Sequence, residues 1–156
     1  MDFQDLLSTF CAAVEAGDGE ALAATFTPDG VYDDVFYGEF AGRDAISDML
    51  TNCFYRDGKD FRWRMIDPVS DGETGYARWA FSFTGKVGPG EGRRIFMDGV
   101  GLFKLRDGLI ARYEDIAKAG EAFVQLGHTP EKIHRLLGRM AERQRDTPVA
   151  QSVIQI

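Results

Sequence analysis

The chain is poor in cysteine. Its 156 residues include only Cys11 and Cys53, too few for the disulfide framework that staples small secreted domains. Each Cys falls on an apolar helical stripe, where a buried, inert thiol is the ordinary reading. Histidine is equally scarce. His128 and His134 are the two, and neither stands at a ligand spacing from a further His, Cys or carboxylate cluster. No metal or cofactor is therefore expected, and both histidines read as surface or helix-capping residues away from any pocket. No apolar run approaches the roughly 20 residues of a membrane helix. The opening Met1-Asp2-Phe3-Gln4-Asp5 is acidic where a secretory leader needs positive charge. Positive charge is in the minority throughout: 18 Lys and Arg against 25 Asp and Glu, for a net −7. Phosphate backbones and anionic lipid surfaces are repelled by such a chain, so neither nucleic acid nor a membrane is an expected partner. Cytoplasmic localisation is the matching expectation. The glycine-rich stretch Gly85–Gly92 lacks the Gly-Lys-Ser/Thr ending of a phosphate loop and reads as a hairpin loop.

What the chain does have is apolar bulk. Hydrophobic residues make up 44%, with twelve Phe, five Tyr and two Trp, enough to fill a sizeable core and exclude global disorder. One domain over residues 1–145 with a tail at 146–156 is the expected organisation. Phe3, Leu6, Leu7, Phe10 and Val14 make one helical stripe, closed by Gly17. Asp18 caps a second helix running through Phe26, and Thr27-Pro28-Asp29-Gly30 reads as a turn that stops it. A short strand follows over 31–37, then a helix from Arg43 to about Phe54. Strands are expected at 61–66, 76–84, 93–105 and 109–116, with turn signals at Asp71-Gly72 and Arg106-Asp107-Gly108. In the second of these, Ala77, Trp79, Phe81 and Phe83 share a face. Thr129-Pro130-Glu131 starts a last helix, whose Arg135, Arg139, Arg143 and Arg145 read as a solvated face. The tail Val149–Ile156 is open between strand, helix and disorder.

Helices first and long antiparallel strands after them give an α+β fold: a curved antiparallel sheet wrapped around the N-terminal helices, a cone-shaped barrel whose open end is a pocket. Apolar residues on the outer sheet face suggest a homodimer.

This ordered set resembles the nuclear transport factor 2-like superfamily, and within it the SnoaL-like polyketide cyclases and the ketosteroid isomerases. The segments that carry the resemblance are Phe10 through Ala16-Gly17-Asp18, Phe26-Thr27-Pro28-Asp29-Gly30-Val31, Gly42-Arg43-Asp44-Ala45-Ile46 and Asp107-Gly108-Leu109-Ile110. The resemblance implies a cofactor-independent enzyme acting on a small hydrophobic molecule, as an isomerase, cyclase, dehydratase or hydrolase. The alternative is a ligand-binding or dimerisation module without turnover. Counting from the first acid of that opening, Asp34 takes the place of the isomerases' general base. The isomerases' two oxyanion donors are not matched: Phe10 stands at the Tyr position and Gly101 near the acid position. The acid that ends the hydrolases' last strand falls at Lys118, with Asp115 the nearest acid. The register of that strand decides whether the Tyr113–Asp115 face or the Arg112–Glu114 face turns inward.

Asp34 and Asp115 are thus the candidate catalytic pair, able to divide base and acid roles. For Asp115 a salt bridge to Arg112, Arg78 or Lys118 is the inert alternative; for Asp98, a partner in Arg94 or Arg78. Phe10, Tyr32, Tyr55, Trp63, Trp79, Phe81, Phe103 and Tyr113 are the candidate substrate-binding residues, most of them doubling as core.

Overall fold

The computed structural model describes residues 2–155; of the tail reading, Ile156 lies outside them. Helix α1 (Phe3–Ala16) starts at Asp2, whose side chain accepts from Asp5 N, and ends at Gly17 in the left-handed region. Asp18 caps α2 (Gly19–Ala24) by accepting from Ala21 N. The predicted turn at Thr27–Gly30 does not break the chain. Those residues belong to β1 (Phe26–Asp34), where the pairing register shifts between Phe26 and Val31. Pro28 and Gly30 are accommodated because the strand is irregular there, with ladder bonds lost locally.

Next come β2 (Gly38–Ala41), α3 (Arg43–Met49), a π-helical turn over Leu50–Phe54 and the short α4 (Tyr55–Asp57). Strands β3 (Gly58–Ser70), β4 (Thr74–Gly85), β5 (Arg94–Arg106) and β6 (Leu109–Ala117) follow as antiparallel neighbours. β3 and β4 outrun the sequence expectation by a few residues, while β5 and β6 match it to within one. The β5–β6 turn uses Asp107 and Gly108, both at positive φ, the requirement of a tight two-residue hairpin. The order is β2-β1-β6-β5-β4-β3. Two features differ from expectation: β1 runs parallel to β6, and the sheet stays open between its edge strands β2 and β3 instead of closing as a barrel.

The sheet curves around α1. Leu6, Leu7, Phe10 and Val14 of that helix are buried with Phe26, Tyr32, Phe103, Ile110 and Tyr113. Each such side chain gains roughly 1.5–3 kcal/mol on burial. Beyond β6 come α5 (Ala119–Gln125), α6 (Pro130–Arg145) and α7 (Pro148–Ile154), so the tail is helical to Ile154. The Gln125 side chain docks α5 on β5, bonding both Phe96 N and Phe96 O at 2.8 Å. This amide takes the place of the strand neighbour that β5 lacks beyond the end of β6. No helix among the described residues is long and apolar enough to cross a membrane.

Candidate functional site

A cavity of about 850 Å³ opens between the curved sheet and the C-terminal helices. Strands β3 and β4 supply an aromatic wall of Phe61, Trp63, Trp79, Phe81 and Phe83. Alternation on β4 turns the last three the same way, and the pairing of Trp63 with Phe81 continues the surface onto β3. Strand β5 contributes room. A Cβ on Gly99 would stand 2.7 Å from the Trp79 ring, and one on Gly101 2.8 Å from the Tyr113 ring. Glycine at these two places lets both rings lie against the strand.

Asp34 ends β1 and lines the cavity, with 5% of its surface exposed. Its Oδ2 accepts from Phe36 N at 2.8 Å and Tyr37 N at 3.0 Å, so one oxygen caps the turn into β2. Among the described residues, Oδ1 has no partner. Burial raises this carboxyl to about 6, the neighbouring Asp33 adds to the rise, and the two backbone N–H groups hold it down. Asp115 lines the same cavity from β6. Register places it opposite Gly101, so an acid stands directly across the ladder from the position where the isomerases' acid has no counterpart. Tyr113, two residues before it on the same face, donates its hydroxyl to Asp115 Oδ1. Burial pushes Asp115 well above the usual carboxylate range, and the charge of Asp34 pushes it further; Tyr113 and the Val35 amide offset part of this.

The inert alternatives for Asp115 are not realised. Arg112 turns to the other face, bonding Asp33 at 2.8 Å and Glu39 at 2.7 Å. Lys118 pairs with Asp98 and Arg78 with Asp67. Asp98 therefore takes Lys118, not Arg94 or Arg78. Two acids face one apolar cavity with no cation within salt-bridge distance of either, among the described residues. The Arg143 guanidinium, at the rim, favours ionised Asp34 from further away. Such a pair favours a singly protonated state, one donor and one acceptor, with the proton held more readily at Asp115.

Of the candidate binding residues, Trp63, Trp79 and Phe81 line the cavity. Phe10, Tyr32, Phe103 and Tyr113 are fully buried and pack behind the wall, because α1 presses its apolar stripe onto them. Tyr113 reaches the site only through Asp115. Tyr55 is tied elsewhere, its hydroxyl donating to Val14 O and Glu15 O at the end of α1.

Two sequence expectations are corrected at the rim. His128 is not remote: the α5–α6 turn brings it into the cavity wall. Arg139 and Arg143 are not merely a solvated face, since α6 lies across the opening and both line it, with Met140 between them. Among the described residues, no group of three or more His, Cys, Asp or Glu side chains could hold a metal ion. Cys11 is buried, and burial pushes its thiol up to about 12.

An open, curved sheet around one helix, with an acid pair in an apolar cavity, defines a cone-shaped α+β pocket protein. The chain belongs to the SnoaL-like domain family, whose pattern matches residues 7–113, and through it to the nuclear transport factor 2-like superfamily. No curated protein matches the chain. Among solved structures, one similar fold is a hypothetical protein with a ketosteroid isomerase-like fold from Catenulispora acidiphila, in complex with trimethylamine. It has a TM-score of 0.73 and 18% identity, over 81% of this chain and 95% of that one. A candidate polyketide cyclase from Xanthomonas campestris gives 0.65 and 22%, over 78% and 94%. An epoxide hydrolase of the LEH-like type from M. tuberculosis gives 0.64 and 18%, over 90% and 95%. At these identities the likeness is one of fold.

Proposed function

We propose that the protein is a cofactor-independent acid–base enzyme acting on a small hydrophobic molecule held in the cavity. The observation that carries the reading is the pairing of Asp34 and Asp115 in one apolar space with no cation within salt-bridge distance among the described residues. Ionised Asp34, with its free Oδ1, takes a proton from the substrate. Protonated Asp115, held by Tyr113, donates to the oxygen on which charge develops. Positioned proton transfer of this kind contributes typically 10²–10⁴-fold. The step needs a carbon acid or a leaving oxygen, which fits isomerisation, cyclisation, dehydration or epoxide opening. Neighbours of the same fold described as polyketide cyclase and epoxide hydrolase support this range; the trimethylamine in another supports a pocket that takes small molecules.

The test is a screen of enones, polyketide-like diketones and epoxides with the wild-type chain, repeated with Asp34→Asn. Asn keeps an acceptor for the Phe36 and Tyr37 amides, so the turn survives. Turnover should fall at least 100-fold. A turnover that survives Asp34→Asn overturns the assignment.

The reading includes a homodimer in the cytoplasm. The outer sheet face supports the dimer, since Tyr76, Phe96 and Ile116 are exposed there at 47%, 53% and 55%. Sedimentation showing only monomer at micromolar concentration would count against it.

A further inference from the structure

His128 is a nitrogen-bearing ring in the cavity wall that the acid pair does not use. Its place is set by the backbone. Gly127, at φ 77°, turns the chain out of α5, and His128 N donates to Phe123 O at 3.2 Å. The imidazole lies against the Phe123 ring, centroids 6.0 Å apart. Phe123 in turn packs on Phe36 at 5.3 Å, the residue whose amide holds Asp34. A continuous aromatic contact therefore runs from the acid at the end of β1 to the imidazole in the turn before α6.

The two ring nitrogens differ. Nδ1 is sealed from solvent and has no hydrogen-bond partner. Nε2 is not sealed, and no protein group bonds it among the described residues. A proton on Nδ1 would leave an orphaned buried donor, which costs more than an unused lone pair there. The neutral ring therefore carries its proton on Nε2. Becoming imidazolium would force a proton onto the sealed nitrogen, beside Lys132, so the ring stays neutral; burial and the Lys132 charge both act in that direction.

We propose that His128 is a specificity-determining hydrogen-bond donor, its Nε2–H receiving an oxygen atom of the ligand on the α5–α6 side of the cavity. This rests on the reading of the cavity as a small-molecule site and narrows its ligand. The ligand is an apolar molecule with an acceptor oxygen, a ketone, ester or epoxide, placed away from its bulk. A purely hydrocarbon ligand leaves the donor unmatched. An ammonium or other donor-only group meets an N–H where it needs an acceptor.

Two measurements test this. The chain has only two histidines, so imidazole ¹⁵N spectra resolve both rings in the unaltered protein. His128 should show the Nε2–H tautomer near pH 7 and titrate below the ordinary imidazole range. Then 2-acetylnaphthalene and 2-ethylnaphthalene, of nearly equal shape, are compared by calorimetry. The ketone should bind roughly fivefold more tightly and shift the His128 resonances, and its advantage should vanish in His128→Phe. An Nδ1–H tautomer, equal affinities in the wild type, or an advantage that survives His128→Phe each overturn the proposal. Equal affinities would leave the small-molecule reading standing. Failure of both compounds to bind would overturn the two together.

Discussion

The two ends of the cone are built from the same kinds of residue and do opposite things. At the packed end, Phe10 meets Tyr32 at 6.0 Å, Trp63 at 5.1 Å and Tyr113 at 5.3 Å between ring centroids, and its surroundings leave no exposed surface. At the open end, Phe81 and Phe83 stack on Phe61 at 5.6 and 5.8 Å, yet all three turn a side to empty volume. The difference is α1. Where the helix lies on the sheet, rings close into core; past its end nothing of equal bulk fills the curve, and α6, which buries no residue, only lies across the gap. Both acids stand where packing gives out. A buried carboxyl costs several kcal/mol in a filled core, so these groups are tolerated only next to space that a proton, water or ligand can occupy.

Truncating one ring at each end breaks this comparison most directly. Phe10→Ala removes a fully enclosed side chain and leaves a void that neighbouring rings cannot fill. It should cost about 3–5 kcal/mol by urea denaturation. Phe83→Ala enlarges a space already open and should cost about 1–2 kcal/mol. Equal losses would mean that the open end is packed as tightly as the closed one.

Sequence reading reached the closed end more easily than the open one, for a physical reason. Core rings announce themselves by period: the stripe Phe3 to Val14 and the alternation Ala77 to Phe83 both appear in the structure as expected. Asp34 was legible by position in a family-like opening. Asp115 depended on strand register, which a one-residue slip reverses; the structure turns it inward with Tyr113. His128 was misplaced because a turn at Gly127, not a periodicity, decides where it goes, and nothing local to a lone His announces a cavity walled by strands distant in sequence. The signal that could have been used is glycine at 99 and 101 on β5, alternate positions left without side chains on a strand otherwise rich in them. That pattern marks a face where large groups from neighbouring strands approach. Thr27–Gly30 misled in the opposite direction, since turn chemistry was read where a strand simply bends.

The smaller effect sharpens the contrast through pH. Adjacent residues of β1, Asp33 and Asp34, meet different environments: Asp33 finds Arg112 on the outer face, while Asp34 is enclosed with no cation within salt-bridge distance among the described residues. Burial raises Asp34 from 3.8 to about 6. Its folded state therefore holds a proton more tightly than the unfolded chain does. That preference stabilises fully below about pH 4 and is lost progressively as pH rises through about 6. Asp34→Asn, which stays neutral and keeps its amide contacts, should match the wild type at pH 4. At pH 8 it should be more stable by about 1–3 kcal/mol, the upper end being two pKa units at 1.36 kcal/mol each. Thermal denaturation across this range reads the difference. The expected gain in stability accompanies the expected loss of turnover, as for a carboxyl retained for its chemistry. A variant less stable than wild type at pH 8 would mean that Asp34 is solvated or paired in solution, and that the acid at the mouth of the cone is structural.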